Sequence, residues 1–185
     1  MRLTPASGNI SASDLLEELG DLLKADIGNV FETMLGLSVE IAESREIREG
    51  NGSYIAACVG FVGEVRGVVY LYMKESVARY LTSRLLSLNE SGLDAGEHTG
   101  DALGELGNMI VGPVKARICD WGYSCILTVP WVVRGEGVRA DPGWRTGSLL
   151  LTITYGDESI LVELLIKSFK SSNKTLLKNP SDLSR

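Results

Sequence analysis

Apolar residues recur at helical spacing through "SASDLLEELGDLLKADIGNVFETMLG" (11 to 36), which predicts a helix capped by Ser11 or Ser13 and ended by Gly36. A strand is expected near 37 to 44. The run "YIAACVGFVGEVRGVVYLYM", rich in Val, Tyr and Ile, then reads as two strands folded about Gly63 to Gly67 into a hairpin. Helical spacing returns in "ESVARYLTSRLLSL" (75 to 88), and the polar stretch "NESGLDAGEHTG" separates it from a second helical segment at 100 to 118. Strands are expected near 124 to 135, 147 to 155 and 159 to 168, the last two joined by turn residues in "YGDES". The sum is a layered α+β arrangement, αβββααβββ, with a mainly antiparallel six-stranded sheet packed with helices. Residues 1 to 12 read as a flexible N-terminus, 13 to 170 as one domain, and 171 to 185 as a polar tail without periodicity.

The helical segment "GDALGELGNMIVGPVKARI" conflicts with its own periodicity. It carries Gly104, Gly107, Gly112 and Pro113, and each glycine costs about 0.5–1 kcal/mol relative to alanine inside a helix. On a wheel of about 100° per residue, Asp101, Glu105, Asn108 and Gly112 fall within an arc of about 60°, with Lys115 beside them. Ala102, Leu106, Met109, Ile110 and Pro113 fall on the opposite side, where a sheet would lie. Gly104 and Gly112 flank the polar pair and leave the helix open to close approach by a partner. Gly107 points to the side, where it serves packing. Pro113 deletes a backbone hydrogen bond and is expected to kink the helix beyond Gly112.

Composition narrows the chemistry. A chain of 185 residues with 44% hydrophobic content suffices for one globular core. A net charge of −6 without any dense Lys/Arg run excludes an extended nucleic-acid groove. No signal-peptide core and no apolar run of about 18 residues is present, so no membrane insertion and a cytoplasmic location are expected. Cys58, Cys119 and Cys125 lack metal-ligand spacing and read as reduced thiols. "GNMIVGPVK" fails as a phosphate loop, because Pro113 stands where the lysine is required. Neither Cys119 nor Cys125 is followed by the arginine of a cysteine phosphatase, and His98 is the only histidine.

The pattern Asp101-x3-Glu105-x2-Asn108-x21-Pro130 resembles the signature of the CheC/CheX/FliY family of chemotaxis phosphatases. "NVFETMLGLSVE" resembles the start of CheX-type chains, and "LTVPWVV" supplies the proline. The resemblance spans residues 14 to 169. It implies a phosphatase that removes the phosphoryl group from the aspartate of a CheY-like response regulator, and a homodimer formed through a sheet edge. It also implies that Glu105 docks on the regulator's active-site lysine and Asn108 orients the attacking water. An amide carries both donor and acceptor and suits that task. The protein needs no cofactor of its own on this reading, since Mg²⁺ arrives with the phosphorylated regulator. Asp101 is expected to cap free N–H groups at the helix start or to favour its dipole, and Pro130 to shape backbone under or beside the signature helix. A non-catalytic module that only binds or scaffolds a regulator is the alternative.

An internal echo accompanies this. "DIGNV" (26 to 30) parallels "ELGNM" (105 to 109), and each half supplies three strands, as in a degenerate duplication. Asp26 and Asn29 would form the second, degenerate site. Leu22 stands where the second copy has Asp101, and Asn51 where the proline would fall.

Overall fold

The computed structural model describes residues 12–44, 52–89, 97–136 and 147–167. The expected tail at 171 to 185, Ser11 and Asn51 lie outside the described residues, as does the N-terminal segment up to residue 11. Among the described residues three helices, α1 (Ala12–Val30), α2 (Glu75–Leu86) and α3 (Glu97–Asp120), accompany seven strands. These are β1 (Glu40–Glu43), β2 (Ser53–Gly63), β3 (Arg66–Lys74), β4 (Cys125–Leu127), β5 (Trp131–Glu136), β6 (Gly147–Tyr155) and β7 (Glu158–Lys167). All strand pairings are antiparallel.

The first helix ends as its sequence requires. A five-residue π segment, Phe31–Leu35, follows α1, and Gly36 takes the left-handed conformation (φ 64°) while donating its N–H to the Glu32 carbonyl. The Leu35 carbonyl, left without a partner within the helix, accepts from Arg84 Nε of α2 at 2.8 Å.

The strand order is β1-β6-β7-β3-β2, with β4 and β5 both pairing β2 on its other side. This order makes the two halves of the chain interlock. Exchanging the first half (β1, β2, β3) for the second (β4/β5, β6, β7) reverses the order and leaves it unchanged. Each half's leading strand therefore lies against the other half, and β3 pairs β7 at the centre. The duplication echoed in the sequence thus becomes a pseudo-twofold arrangement that neither half completes alone.

Helices cover one face of the sheet. Leu19, Leu23 and Ile27 of α1 and Leu106, Ile110 and Val114 of α3 pack with Ile55, Val59, Val69, Leu71, Val162 and Leu164 in the main core. The alternation of β2 and β3 sends Ala56, Cys58, Val68, Tyr70 and Tyr72 to the opposite face, where they form a second cluster with Leu165. Glu163 is buried in the sheet at 5% exposure and accepts from the Tyr72 hydroxyl at 3.3 Å.

Sequence reading predicts one strand over 124 to 135 and six strands in all, whereas two strands form there and seven are present among the described residues. Phe61 faces Leu127 and Cys58 faces Trp131, so two residues of β2, Val59 and Gly60, oppose three, Thr128, Val129 and Pro130. One extra residue makes this a bulge, and Pro130, having no N–H, suits a position outside the ladder. Thr128 pins it: its N–H donates to the Gly60 carbonyl at 2.8 Å, and its hydroxyl accepts from the Gly60 N–H at 3.0 Å. The added residue inverts the alternation. Leu127 and Val132 pack on the main core, while Ile126 and Trp131 are exposed on the far side.

Candidate functional site

The candidate site is the outer surface of α3. Leu103, Leu106, Ile110, Val111, Val114 and Ile118 bury its inner side, which fixes the helix's rotation against the sheet. That rotation leaves Asp101 and Glu105 exposed and Asn108, Gly112 and Lys115 half-buried along one accessible stripe. Among the described residues, neither Glu105 nor Asn108 makes a side-chain hydrogen bond or ion pair, so carboxylate and amide are both available to a partner.

The structure corrects the expected roles of several neighbours. Gly104 belongs with Pro130 and not with the open docking face: it is buried, and a Cβ placed on it would come 3.2 Å from Pro130 Cβ. It sits at the margin of the polar arc, where the bulge following β4 rises beside the helix. The sideways placement expected for Gly107 holds, since a Cβ there would meet Val59 Cγ2 at 2.8 Å. Gly112 is the open one, with nothing within 4 Å of such a Cβ. Gly104 and Gly107 thus permit close packing, and Gly112 leaves the outer surface bare.

Asp101 is not the helix cap. The helix begins at Glu97, so Asp101 lies in its second turn, beyond the four N–H groups that lack helical partners. Pro113 is exposed and not packed on the sheet, and α3 continues through it to Asp120. His98 is exposed near the helix start.

Asp26 and Asn29 are presented differently from Glu105 and Asn108. Asn29 is exposed, but Asp26 is half-buried, with Oδ2 sealed from solvent and without a hydrogen-bond partner. Desolvation raises the Asp26 pKa, and the positive charge of Arg117 on α3 opposes the rise. The shorter acid on α1 thus has one oxygen enclosed instead of projecting outward.

Sequence reading missed Thr128 and Gly60. Their paired hydrogen bonds hold the bulge that carries Pro130 to Gly104. The only signal was the Thr-Val-Pro order after a short apolar run, and its meaning depends on a strand 68 residues earlier. Among the described residues, no group of three or more His, Cys, Asp or Glu side chains is placed to hold a metal ion. No described helix is long and apolar enough to cross a membrane.

A family model described as "Chemotaxis phosphatase CheX" matches residues 55–153. The CheY-P phosphatase CheX of Thermotoga maritima is 23% identical over 152 residues, covering 80% of this chain and 96% of that protein. The crystal structure of the chemotaxis protein CheX from Desulfovibrio desulfuricans superimposes with a TM-score of 0.67 at 21% identity, covering 81% of this chain and 99% of that one. CheX in the CheX–CheY–BeF₃–Mg²⁺ complex from Borrelia burgdorferi gives a TM-score of 0.67 at 19% identity, covering 81% and 98%. Thermotoga maritima FliY gives 0.59 at 12% identity, covering 85% and 92%. The layered α+β fold is shared among them.

Proposed function

The chain belongs to the CheX family of chemotaxis phosphatases, and from that premise we propose that it hydrolyses the aspartyl phosphate of a CheY-like response regulator. The observation that carries this reading is the pair Glu105 and Asn108, one turn apart on the accessible stripe of α3, with no side-chain hydrogen bond or ion pair among the described residues.

The chemistry divides between two proteins. The regulator brings the phosphoryl group on its aspartate and the Mg²⁺ that offsets the phosphoryl charge. Asn108, inserted beside that group, holds a water in line with the bond to be broken. Water oxygen bonds to phosphorus, the bond to the aspartate oxygen breaks, and phosphate and a free carboxylate result. The amide positions the water and does not serve as a base. Glu105 pairs with the regulator's active-site lysine, a charge-assisted contact shielded from water once the surfaces meet. Gly112 lets the regulator approach the helix backbone, and Lys115 adds a cation at the edge of the same surface. Asp101 supplies a further carboxylate on the stripe. The relatives support the reading: one bears the name CheY-P phosphatase, and another was crystallised with CheY, BeF₃ and Mg²⁺. A cytoplasmic location and a homodimer belong to the same proposal.

The test is the decay of phosphorylated regulators from the same genome, measured with and without the protein. Faster decay of at least one supports the reading. Tight binding with unchanged decay would identify a scaffolding module instead.

A further inference from the structure

Two of the three thiols meet where α3 ends. Beyond Asp120 the chain turns back on the helix: Trp121 N–H donates to the Arg117 carbonyl at 3.1 Å, Gly122 N–H to Cys119 at 2.8 Å, and Tyr123 N–H to Ile118 at 3.3 Å. Gly122 makes the reversal possible with φ 88°, and Trp121 is buried beneath it. Cys125 is thereby returned beside the last turns of the helix it has just left. Cys125 Sγ lies 3.9 Å from the Lys115 carbonyl, and Cys119 Sγ lies 3.8 Å from the Cys125 carbonyl. Lys115 and Cys119 are one helical turn apart, so the Cys119 sulfur sits against the Cys125 backbone and the Cys125 sulfur against the helix one turn before Cys119. The Cys125 side of the contact is held firmly. Glu64 N–H donates to the Ser124 carbonyl at 2.9 Å, Ser124 N–H donates to Glu64 Oε2 at 2.8 Å, and Gly63 pairs Cys125 in the sheet.

We propose that Cys119 and Cys125 are a redox-active dithiol, which a hydroperoxide converts to an intramolecular disulfide. Cys119 is the half-exposed member, and Cys125 is buried. The surroundings separate them chemically. Hydrogen bonding at Cys125 and the nearby Lys115 charge lower the Cys119 pKa, whereas burial pushes the Cys125 thiol up to about 11. Cys119 is therefore the attacking sulfur and Cys125 the resolving one. Cys58, buried on the opposite face of the sheet and pushed up to about 12 by desolvation, takes no part.

The steps balance. The Cys119 thiolate attacks one oxygen of the hydroperoxide, the O–O bond breaks, and an alcohol or water leaves after taking a proton. Sulfur has been oxidised to a sulfenic acid and the peroxide reduced. Cys125 then attacks the Cys119 sulfur, the S–O bond breaks, and water departs with the Cys125 proton. A dithiol reductant reverses the bond. The short segment between the cysteines is already folded back on the helix, so the reaction needs little further ordering of chain.

The full chain, treated with hydrogen peroxide, tests this by intact mass under non-reducing conditions and by peptide mapping. Wild type and Cys58→Ser should each lose the mass of two hydrogens and regain it with dithiothreitol. Cys119→Ser should form no intramolecular disulfide, and Cys125→Ser should retain a sulfenic acid at Cys119 that dimedone traps. Timed alkylation of the unmodified protein needs no variant to fold, and it should label Cys119 at least about tenfold faster than Cys125 or Cys58. Persistence of all thiols in excess peroxide, a disulfide that includes Cys58 or links two chains, or Cys125 alkylating first would overturn the assignment.

Discussion

Pro130 packs against the backbone of Gly104, one residue before Glu105: a Cβ on that glycine would lie 3.2 Å from Pro130 Cβ. The proline occupies the bulge between β4 and β5, and the glycine lies in the second turn of the helix that carries the candidate pair. The long interval between Asn108 and Pro130 in sequence thus closes into one packed unit. The expected consequences differ among Gly104, Gly107 and Gly112 of α3. Gly112→Ala meets open space and should gain up to about 1 kcal/mol of helix stability, raising the melting temperature by about 2–4 °C. Gly104→Ala should show no such gain, because a rigid proline in a pinned bulge must move. Gly107→Ala meets Val59 at 2.8 Å and should cost about 1–3 kcal/mol. Thermal unfolding of the three variants in one buffer checks the order.

Asn108→Ala should leave folding and regulator binding nearly unchanged while slowing regulator dephosphorylation by about 100-fold, the scale associated with losing correct placement of a reacting group. Glu105→Ala should weaken both binding and rate, since the regulator's lysine loses its partner. Binding measured by titration and phosphate release measured in parallel separate the two effects. Wild-type turnover by the Asn108 variant would remove the positioning mechanism.

Regulator dephosphorylation should cease when Mg²⁺ is chelated, because that metal belongs to the phosphorylated substrate. Small esters such as p-nitrophenyl phosphate should be hydrolysed negligibly. Substantial turnover of such an ester by the purified protein would instead require a hydrolytic site independent of the regulator.

Asp26→Asn should stabilise the protein at neutral pH. Desolvation raises this carboxyl's pKa in the folded state, so ionising it opposes folding. The folded chain retains the proton where the unfolded chain has lost it, and stability falls as pH rises from the unfolded pKa through the folded one. The advantage of the asparagine variant should therefore be present at pH 7 and disappear below the ordinary carboxylate range. Urea unfolding at both pH values measures it, and an equal advantage at low pH would count against the electrostatic cause.

Homodimerisation through a sheet edge is expected in light scattering at tens of micromolar. The apolar runs at 54 to 73 and 147 to 166 suggest the edge in sequence, but they form β2, β3, β6 and β7, which are paired on both sides within the sheet. The remaining edges belong to β1 and to the β4/β5 side, and the latter carries Ile126, Val129 at 85% exposure, Trp131 and Val133. Val133→Lys should then shift the mass toward monomer. A strictly monomeric wild type would remove the dimer and leave the phosphatase reading intact.

Much of this protein was determined by local pattern. Helical spacing located α1, α2 and α3, turn residues placed the β2/β3 and β6/β7 hairpins, and Gly36 ended the first helical segment, because these depend on neighbours within a few residues. The stripe from Asp101 to Lys115 was equally legible, since helical geometry alone puts those positions on one face. What only tertiary structure decided involved residues far apart in the chain. Gly104 looked open on a wheel and is covered by Pro130. A single expected strand became two, because Gly60 and Thr128 pin one extra residue there. The parallel "DIGNV" and "ELGNM" sequences ended in different surroundings, with Asp26 half-buried within range of the Arg117 charge and Glu105 exposed. A repeating sequence specifies where a side chain emerges from its own helix; the packing of other segments decides whether it meets solvent, a neighbouring charge or a proline.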